Sequence, residues 1–396
     1  MKFLQKKFDS VKHHFEKGGK WEKFHPIYEG HRTIFFAPDL VTGKKGAQIK
    51  DGNDLKRMMF TVIIAMIPCL LFGMWNVGHQ HYLATGVDAT LLDKFLIGAI
   101  RTVPIIAVSY GVGLFTEFVF CVVRQHPVEE GFLVSGLLIP LVMPPTIPLW
   151  QVGMATVFAV IIGKEVFGGT GMNILNVALL ARAFLYFAYP SQISGDVWTY
   201  LGETPAVDGF SGATILAYGA EAAAANTDMM QMVAGHWSAG MFDFWNMFMG
   251  IMPGSIGETS TLMCLIGAVI LIATGVGSWK IILSVFVGAF AMGSLFNLTG
   301  GNSFLQMPAH YHLVIGGLAF GAVFMATDPV SAAHTELGKW IYGFLIGVLT
   351  VLIRVVNPAY PEGIMLAILF MNVFAPLIDF YVVEANKKRR LKRATV

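Results

Sequence analysis

The stretch from Asp208 to Thr214, Asp-Gly-Phe-Ser-Gly-Ala-Thr, is a small polar island between long apolar segments. Asp and Ser side chains can bond neighbouring backbone N–H groups, and glycines allow positive φ and leave room for a bulky group to approach. The stretch is therefore predicted to be a loop. One interpretation is a surface turn; the other is a chemical site at which the Thr214 hydroxyl reacts.

Carboxylates inside apolar segments form a second set of candidates. Glu117, Asp328 and Asp379 lie in such segments, where a charged side chain costs about 3 kcal/mol. One interpretation is a cation path, because hard ions such as sodium prefer oxygen ligands. The alternative is structural, with Asp328 capping a helix end near Ser331 and Asp379 meeting the basic C terminus.

Two phenylalanines and a group of polar residues complete the candidates. Phe320 and Phe324 stand one turn apart next to Asp328, where ordinary packing is the favoured explanation and an apolar gate is the alternative. A further segment offers hydrogen-bond donors and room for a planar polar ring, or else helix-to-helix hydrogen bonds. Its residues are Gly168, Gly169, Asn173, Asn176 and Arg182.

Composition and charge set the class of protein. Of the 396 residues, 55% are hydrophobic and only 13% are charged, and the mean hydropathy is +0.63. These values indicate a polytopic membrane protein. Of the 27 Lys and Arg residues, 13 lie in residues 1–57 and six in residues 387–393, so both termini are predicted to face the cytoplasm. The three cysteines form no metal-binding or haem-attachment pattern.

Ten apolar spans are predicted, in an all-α integral membrane protein. They lie at about 58–75, 96–123, 131–148, 149–163, 172–189, 261–277, 281–298, 312–327, 341–356 and 363–383. The prolines at 140, 144, 145 and 148 predict that the third span is interrupted. Residues 183–279 contain no Lys or Arg, which favours an outer location for the connection that holds Thr214.

The spans divide into two sets of five around that connection. An odd number in each set requires that the halves, if related, are inverted. The predicted organisation is a cytoplasmic extension, a first five-span half, a periplasmic loop, a second half and a basic cytoplasmic tail, at 1–57, 58–189, 190–245, 246–386 and 387–396. Residues 1–57 have two interpretations. The residues near 3–15 form a helix that lies on the membrane surface, or the extension packs onto a partner protein.

Several motifs together resemble one family. Asp-x-x-Ser-Gly-Ala-Thr is similar to the acceptor motif on which a flavin transferase esterifies FMN through its phosphate to the Thr hydroxyl. With Phe-Gly-Gly-Thr-Gly171, Pro-Gly-Ser-Ile-Gly-Glu258, Met-Ala-Thr-Asp-Pro-Val-Ser331 and Val-Asn-Pro-Ala-Tyr-Pro-Glu-Gly363 in this order, the chain resembles the B-subunit family of the sodium-translocating NADH:quinone oxidoreductase over nearly all its length.

The resemblance implies a multi-pass protein of the bacterial inner membrane with a fold similar to urea transporters. It implies covalent FMN on Thr214 within the motif residues Asp208, Ser211, Gly212 and Ala213. It also implies a non-covalent riboflavin, for which we assign Gly168, Gly169, Asn173, Asn176 and Arg182. Ubiquinone is the implied electron acceptor, and we place it near Glu117 and Phe15. A sodium path is assigned to Glu117, Asp328, Asp379, Phe320 and Phe324.

The implied partners are the A, C, D, E and F subunits of a six-subunit complex, the flavin transferase, quinone, Na+ and membrane lipid, with no nucleic acid. Two alternatives remain. The D subunit of the Rnf-type ferredoxin-linked complex shares the Ser-Gly-Ala-Thr motif but generally lacks a long N-terminal extension. A passive pore of urea-channel type would have no redox function, and the stretch Asp208 to Thr214 argues against it.

Overall fold

The computed structural model describes residues 2–36, 55–125, 128, 131–225, 227, 239–301, 304–357 and 362–394. Among these residues every regular element is helical, which confirms the predicted all-α class. The helices are α1 Lys2–Phe15, α2 His25–Phe35, α3 Leu55–Thr85, α4 Leu91–Arg124, α5 Phe132–Leu141, α6 Leu149–Gly163, α7 Val177–Ala188, α8 Ile215–Ala225, α9 Phe244–Met249, α10 Thr261–Ala273, α11 Trp279–Thr299, α12 Tyr311–Val314, α13 Leu318–Phe320, α14 Glu336–Val356 and α15 Ile364–Ala394.

Six of the described helices are long and apolar enough to cross a membrane. They are α3, α4, α6 with the turn that follows it, α11, α14 and α15. The shorter apolar helices are α5, α7, α8 and α10. Within the described residues, six of the ten predicted spans each correspond to one long helix. The other four correspond to shorter or interrupted helices.

The long helices approach each other closely where glycine removes the side chain. A Cβ on Gly98 of α4 would overlap the carbonyl of Met74 in α3, and one on Gly347 of α14 would overlap the carbonyl of Val285 in α11. Small residues at helix contacts are typical of membrane proteins, because close van der Waals packing stabilises helices that lipid would otherwise solvate equally well.

The predicted interruption after the prolines is present, since α5 ends at Leu141 and residues 142–148 are not helical. The carbonyl groups freed at this break accept hydrogen bonds from a second irregular segment. The Gly257 N–H donates to the Leu141 carbonyl (2.7 Å) and the Ile256 N–H to the Met143 carbonyl (3.1 Å). Irregular backbone is tolerated at membrane depth only where protein groups satisfy it in this way.

The segment at 312–327, predicted as one span, is broken. It forms the short helices α12 and α13 and a π-helical turn at Gly321–Met325. The carbonyl groups at this break are hydrogen-bonded by Arg354 of α14, which is fully buried. Its guanidinium donates to the carbonyls of His312 (2.7 Å) and Ile315 (2.8 Å). The glycines at 316 and 317 separate the two pieces, and a sequence window that averages hydropathy does not detect such a break.

The connection predicted at 190–245 is partly helical. Its alanine-rich run continues α8 up to Ala225, because alanine has the highest helix propensity. Asn226 and residues 228–238 lie outside the described residues. Residues 358–361, which form most of the Asn-Pro-Ala-Tyr-Pro part of the last family motif, also lie outside them.

The N-terminal residues fold back on themselves. A helix was expected near residues 3–15 and α1 occupies that position. Phe15 at its end stacks on Tyr28 of α2, with ring centroids 4.9 Å apart. The hairpin lies against the end of α4, where the Gln125 side chain donates to the Lys23 carbonyl (3.4 Å). The rest of the predicted extension, residues 37–54, lies outside the described residues.

Candidate functional site

Thr214 lies directly before α8 and is half-buried. Its carbonyl accepts hydrogen bonds from the N–H groups of Ala217 (2.9 Å) and Tyr218 (3.2 Å), and its hydroxyl accepts a longer one from Ala217 (3.4 Å). Thr214 thus starts the helix, and its hydroxyl lies at the positive end of the helix dipole, where phosphate groups are stabilised. Burial raises the pKa of the Tyr218 hydroxyl, which therefore stays neutral.

The residues that precede Thr214 are held by the surrounding chain. The Val207 N–H donates to the carbonyl of Ala84 at the end of α3 (2.9 Å). The Ser211 hydroxyl donates to the Asp196 carboxylate (3.1 Å), and a Cβ on Gly212 would lie 2.6 Å from the Asp196 carbonyl oxygen. Asp208 is exposed. The backbone contact explains why glycine is needed at 212, and the anchors fix the position of Thr214.

Tyr200 fastens the same connection to the helices. The Arg101 guanidinium lies over its ring, 4.1 Å from the centroid, and a His81 ring nitrogen lies 2.8 Å from its carbonyl oxygen. Both contacts hold the segment before Thr214 against α3 and α4, because Arg101 belongs to α4 and His81 to α3.

A small pocket opens beside Thr214, and we call it the Thr214 cavity. Its other lining residues are Ile215, Leu216, Met252, Pro253, Gly254, Ser255, Glu258, Thr259, Gly316, Gly317 and Glu362. The buried Ser255 hydroxyl has no hydrogen-bond partner among the described residues. A Cβ on Gly317 would lie 2.5 Å from the Glu258 carboxylate. A missing polar partner and glycine walls are the features expected of a site built around a ligand.

Four charged groups lie at or next to this cavity: Arg182, Glu258 and Arg354 are buried, and Glu362 is partly buried. Arg182 donates to the Glu258 carboxylate (2.6 Å) and also pairs with the Glu362 carboxylate. Arg354 donates to the Glu362 carbonyl (2.9 Å) as well as to the broken segment. Glu258 and Glu362 both line the cavity. Two positive and two negative charges balance, which makes their burial tolerable.

A second pocket lies at the N-terminal end of α7, and we call it the Asn173 cavity. Asn173, Asn176 and Asp328 are among its lining residues. The Asn176 side chain accepts from the first N–H groups of α7, Ala178 (3.1 Å) and Leu179 (3.2 Å), and its amide donates to the Asp328 carboxylate (3.5 Å). The remaining wall is mainly apolar, as in sites for planar ring ligands.

The five residues assigned to riboflavin are not all in one place. Asn173 and Asn176 line the Asn173 cavity, and Gly168 and Gly169 form the nearby turn with φ of 118° and 102°. Arg182 lies six residues beyond Asn176, about 9 Å along the helix axis, and its side chain pairs with Glu258 and Glu362, which line the Thr214 cavity. The geometry therefore places Arg182 next to the carboxylates of the Thr214 cavity and apart from the Asn173 cavity.

The carboxylate of Glu117 is inside the protein and paired. It forms a buried ion pair with Lys164, and Lys164 lines the Asn173 cavity. Phe15, the other residue assigned to quinone, packs within the α1–α2 hairpin instead, in stacking contact with Tyr28. The structure brings the hairpin to the end of α4 but does not bring these two side chains together.

The residues assigned to the sodium path fall into three environments. Phe324 lines the Asn173 cavity with Asp328, and Phe320 packs against it with ring centroids 4.9 Å apart. The Ser331 hydroxyl donates to the Asp328 carboxylate (3.0 Å). Asp379 accepts from the His334 N–H (2.7 Å) and from Thr335, and so stabilises the start of α14. Its oxygens are occupied by that structural role.

Sequence reasoning missed three residues of the Thr214 cavity and its base: Ser255, Arg354 and Glu362. An arginine inside an apolar span is a functional-site signal by default, so Arg354 could have been found. Ser255 and Glu362 lie within motifs that carry the family resemblance, but their places at the cavity depend on the fold: Glu362 pairs with Arg182, which is 180 residues away.

Comparison with known proteins identifies the family to which this chain belongs. The chain matches the profile of the NQR2, RnfD, RnfE family over residues 42–388. A protein of Azotobacter vinelandii, named as the B subunit of Na(+)-translocating NADH-quinone reductase, is 50% identical over 411 aligned residues, which cover 97% of this chain and 98% of that relative. The proteins of that name from Stutzerimonas stutzeri and Chromohalobacter salexigens are each 49% identical, and cover 97% and 98% of this chain and 98% and 96% of their own lengths.

Proposed function

We propose that this chain, which belongs to the NQR2, RnfD, RnfE family, is the membrane-embedded B subunit of a sodium-translocating NADH:quinone oxidoreductase. The observation that carries this proposal is identity of about one residue in two, over nearly the whole length, to relatives of that name. The chain then takes part in passing electrons from NADH to ubiquinone while Na+ leaves the cytoplasm.

The Thr214 cavity fits covalent FMN, attached as a phosphoester to the Thr214 hydroxyl. When bound, FMN would supply reversible electron transfer. The N-terminal end of α8 stabilises the phosphate charge, and the buried Ser255 hydroxyl is available to donate to the cofactor. The glycines at 254, 316 and 317 leave room for a ring system against the wall. Asp208, Ser211, Gly212 and Ala213 form the motif that a flavin transferase would recognise.

The Asn173 cavity is the better candidate for riboflavin, which has no phosphate to attach. Asn173 and Asn176 offer amide groups to a polar ring edge, and the apolar wall that includes Phe324 covers a ring face. The turn at Gly168 and Gly169 shapes one side of the entrance. Arg182, which the resemblance assigned to riboflavin, is left out of this site because its donors are used at the other cavity.

Quinone would bind on the cytoplasmic side, between the α1–α2 hairpin and the end of α4. The contact of Lys23 with Gln125 supports this position, as does the buried Lys164–Glu117 pair at the wall of the Asn173 cavity. Phe15 then acts by holding the hairpin in shape, through its stack on Tyr28, and Glu117 by orienting the Lys164 ammonium.

We predict that deleting residues 1–50 raises the KM for quinone at least about tenfold, a loss of about 1.4 kcal/mol, and leaves flavin fluorescence unchanged. Steady-state kinetics on the purified complex would measure this, with Phe15→Ala as the smaller change and the exposed Val11→Ala as its control. Unchanged quinone kinetics in the deletion variant would move the site elsewhere.

The membrane arrangement that we propose has ten crossings in two inverted halves, similar to urea transporters, with both termini in the cytoplasm of a bacterial inner membrane. Two observations support it. The third segment of each set of five is interrupted, at 142–148 and at 315–317. The second and fourth helices pack together in each set, α4 with α6 and α11 with α14. Residues 190–245 would then be periplasmic.

The proposed partners are the A, C, D, E and F subunits, the flavin transferase, quinone, Na+ and lipid. An NADH site or iron–sulfur ligand set is not expected in this chain, so electrons must come from another subunit. The D subunit of an Rnf-type complex is the nearest alternative, and the N-terminal α1–α2 hairpin favours the quinone-reducing complex over it. A passive pore would not require the paired charges of Arg182, Glu258 and Glu362 at the Thr214 cavity.

Membranes of a bacterium that carries this chain test the proposal. Without the chain, we expect NADH:quinone reductase activity that is stimulated by Na+ to fall to background, and to return when the wild-type chain is supplied. Activity that depends instead on reduced ferredoxin would identify the Rnf-type alternative. Retained activity in the deletion strain would overturn the assignment.

A further inference from the structure

The base of the Thr214 cavity carries charges that covalent attachment alone does not require. Glu258 and Glu362 line the cavity, and both carboxylates pair with one guanidinium, that of Arg182. Arg182 is 2% exposed and Glu258 is 5% exposed. These three residues come from α7, from the irregular segment before α10 and from the residues just before α15, so the fold assembles them from both halves of the chain.

Arg354 does not replace Arg182 in this arrangement. Its hydrogen bonds go to the backbone carbonyls of His312, Ile315 and Glu362, where it stabilises the broken segment. Arg182 is therefore the cation in direct contact with the two carboxylates that face the cavity. Without it, two negative charges would face an anionic phosphoester across a site of low dielectric constant, where charge interactions are strong.

We infer that Arg182, together with Glu258 and Glu362, sets the reduction potential of the flavin attached at Thr214. This inference rests on the proposed function. An added electron is stabilised by nearby positive charge and destabilised by nearby negative charge, and groups fixed in a buried site do this without reorganisation. Arg182 is thus a positioning residue that acts through charge, and it belongs to the FMN site instead of the riboflavin site.

The sign of the effect separates this role from a purely structural one. Arg182→Gln removes a positive charge, so the midpoint potential of the Thr214-linked flavin falls. Glu258→Gln removes a negative charge, so the potential rises. The double variant returns the potential toward the wild-type value, and Arg182→Lys keeps it there. A general loosening of the site would shift both single variants in the same direction.

The experiment is a spectroelectrochemical titration of the purified complex, following the covalent flavin. Mass spectrometry of the peptide that contains Thr214 reports flavin loading in every preparation. Arg124→Gln is the matched control, because Arg124 is also paired with a buried glutamate, Glu165 (3.5 Å), but far along α4 from this cavity. Its potential is expected to equal that of the wild type.

The outcomes are distinguishable. Opposite shifts in Arg182→Gln and Glu258→Gln, with full loading, support the inference. Equal or absent shifts with full loading overturn it while the FMN assignment stands. An unmodified wild-type peptide overturns the FMN assignment itself. If Arg182→Gln fails to assemble, Glu258→Gln decides alone, because a glutamine of the same shape keeps one hydrogen bond to Arg182, and an unchanged or lowered potential in it contradicts the inference.

Discussion

The Thr214→Ala variant is expected to carry no covalent flavin and to keep its fold. The ester would form on the Thr214 hydroxyl. Among the described residues, no other hydroxyl group lies directly before α8. The structural cost is small, because the mutation removes one long hydrogen bond at the start of a helix, worth about 1 kcal/mol. In-gel fluorescence of the denatured chain and the mass of the Thr214 peptide would measure the loss.

Two control variants sharpen this test. Thr204→Ala removes an exposed hydroxyl from the same connection, and we expect its fluorescence to equal that of the wild type. Thr214→Ser keeps a hydroxyl and is expected to retain at least part of the flavin. Fluorescence that persists in Thr214→Ala would contradict the assignment of the attachment site.

We expect substitutions of Phe324 and Asp328, which line the Asn173 cavity, to weaken the coupling between electron transfer and sodium transport. Moving one sodium ion against about 150 mV requires about 3.5 kcal/mol, so electron transfer must change the environment of the ion. Phe324 lines the cavity and belongs to the π-helical turn, a feature that is frequent at functional sites, and Phe320 packs against its ring. The Asp328 carboxylate, which lines the cavity, offers oxygen ligands of the kind that sodium needs.

In Phe324→Leu we expect quinone reduction to continue while sodium moved per electron falls several-fold. Leucine limits the cavity that alanine would leave at a buried phenylalanine, which costs about 3–5 kcal/mol. In Asp328→Asn we expect turnover to depend less on sodium. Reconstituted vesicles with a sodium-sensitive dye would measure both.

The matched controls are Phe370→Leu, at an exposed position of α15, and Asp88→Asn, at an exposed position before α4. Both should retain wild-type coupling. If Phe324→Leu and Asp328→Asn also kept it, the path would belong to another protein of the complex. Asp379 is not a good test of the path, because its carboxylate stabilises the start of α14 and its removal would disturb that helix directly.

The sequence predicted most long helices, because their signal is local. An uninterrupted apolar run such as that of α4 or α11 needs only its own length and hydropathy to be recognised. The prolines at 144, 145 and 148 likewise predicted the first break, since proline lacks an N–H and cannot continue the helix. The second break was missed, because glycines at 316 and 317 permit a break without requiring one.

The roles of the charged residues could not be read in the same way. Glu117, Asp328 and Asp379 looked alike in the sequence, as single carboxylates in apolar surroundings. The structure gives each a different partner: Lys164 for Glu117, Ser331 and Asn176 for Asp328, and the first residues before α14 for Asp379. Partner choice depends on distance in space, which spacing along the chain does not contain.

By itself, the sequence determined the class of membrane protein, the loop position of Thr214 and the motifs that resemble one family, because each depends on adjacent residues. Only the tertiary structure decided that Arg182 pairs with Glu258 and Glu362, which line the Thr214 cavity, while Asn176, at the start of the same helix, lines another cavity. A helix turns its side chains through 100° per residue and extends them along its axis, so neighbours in sequence reach different sites. Which site each one reaches is set by the helices packed around it.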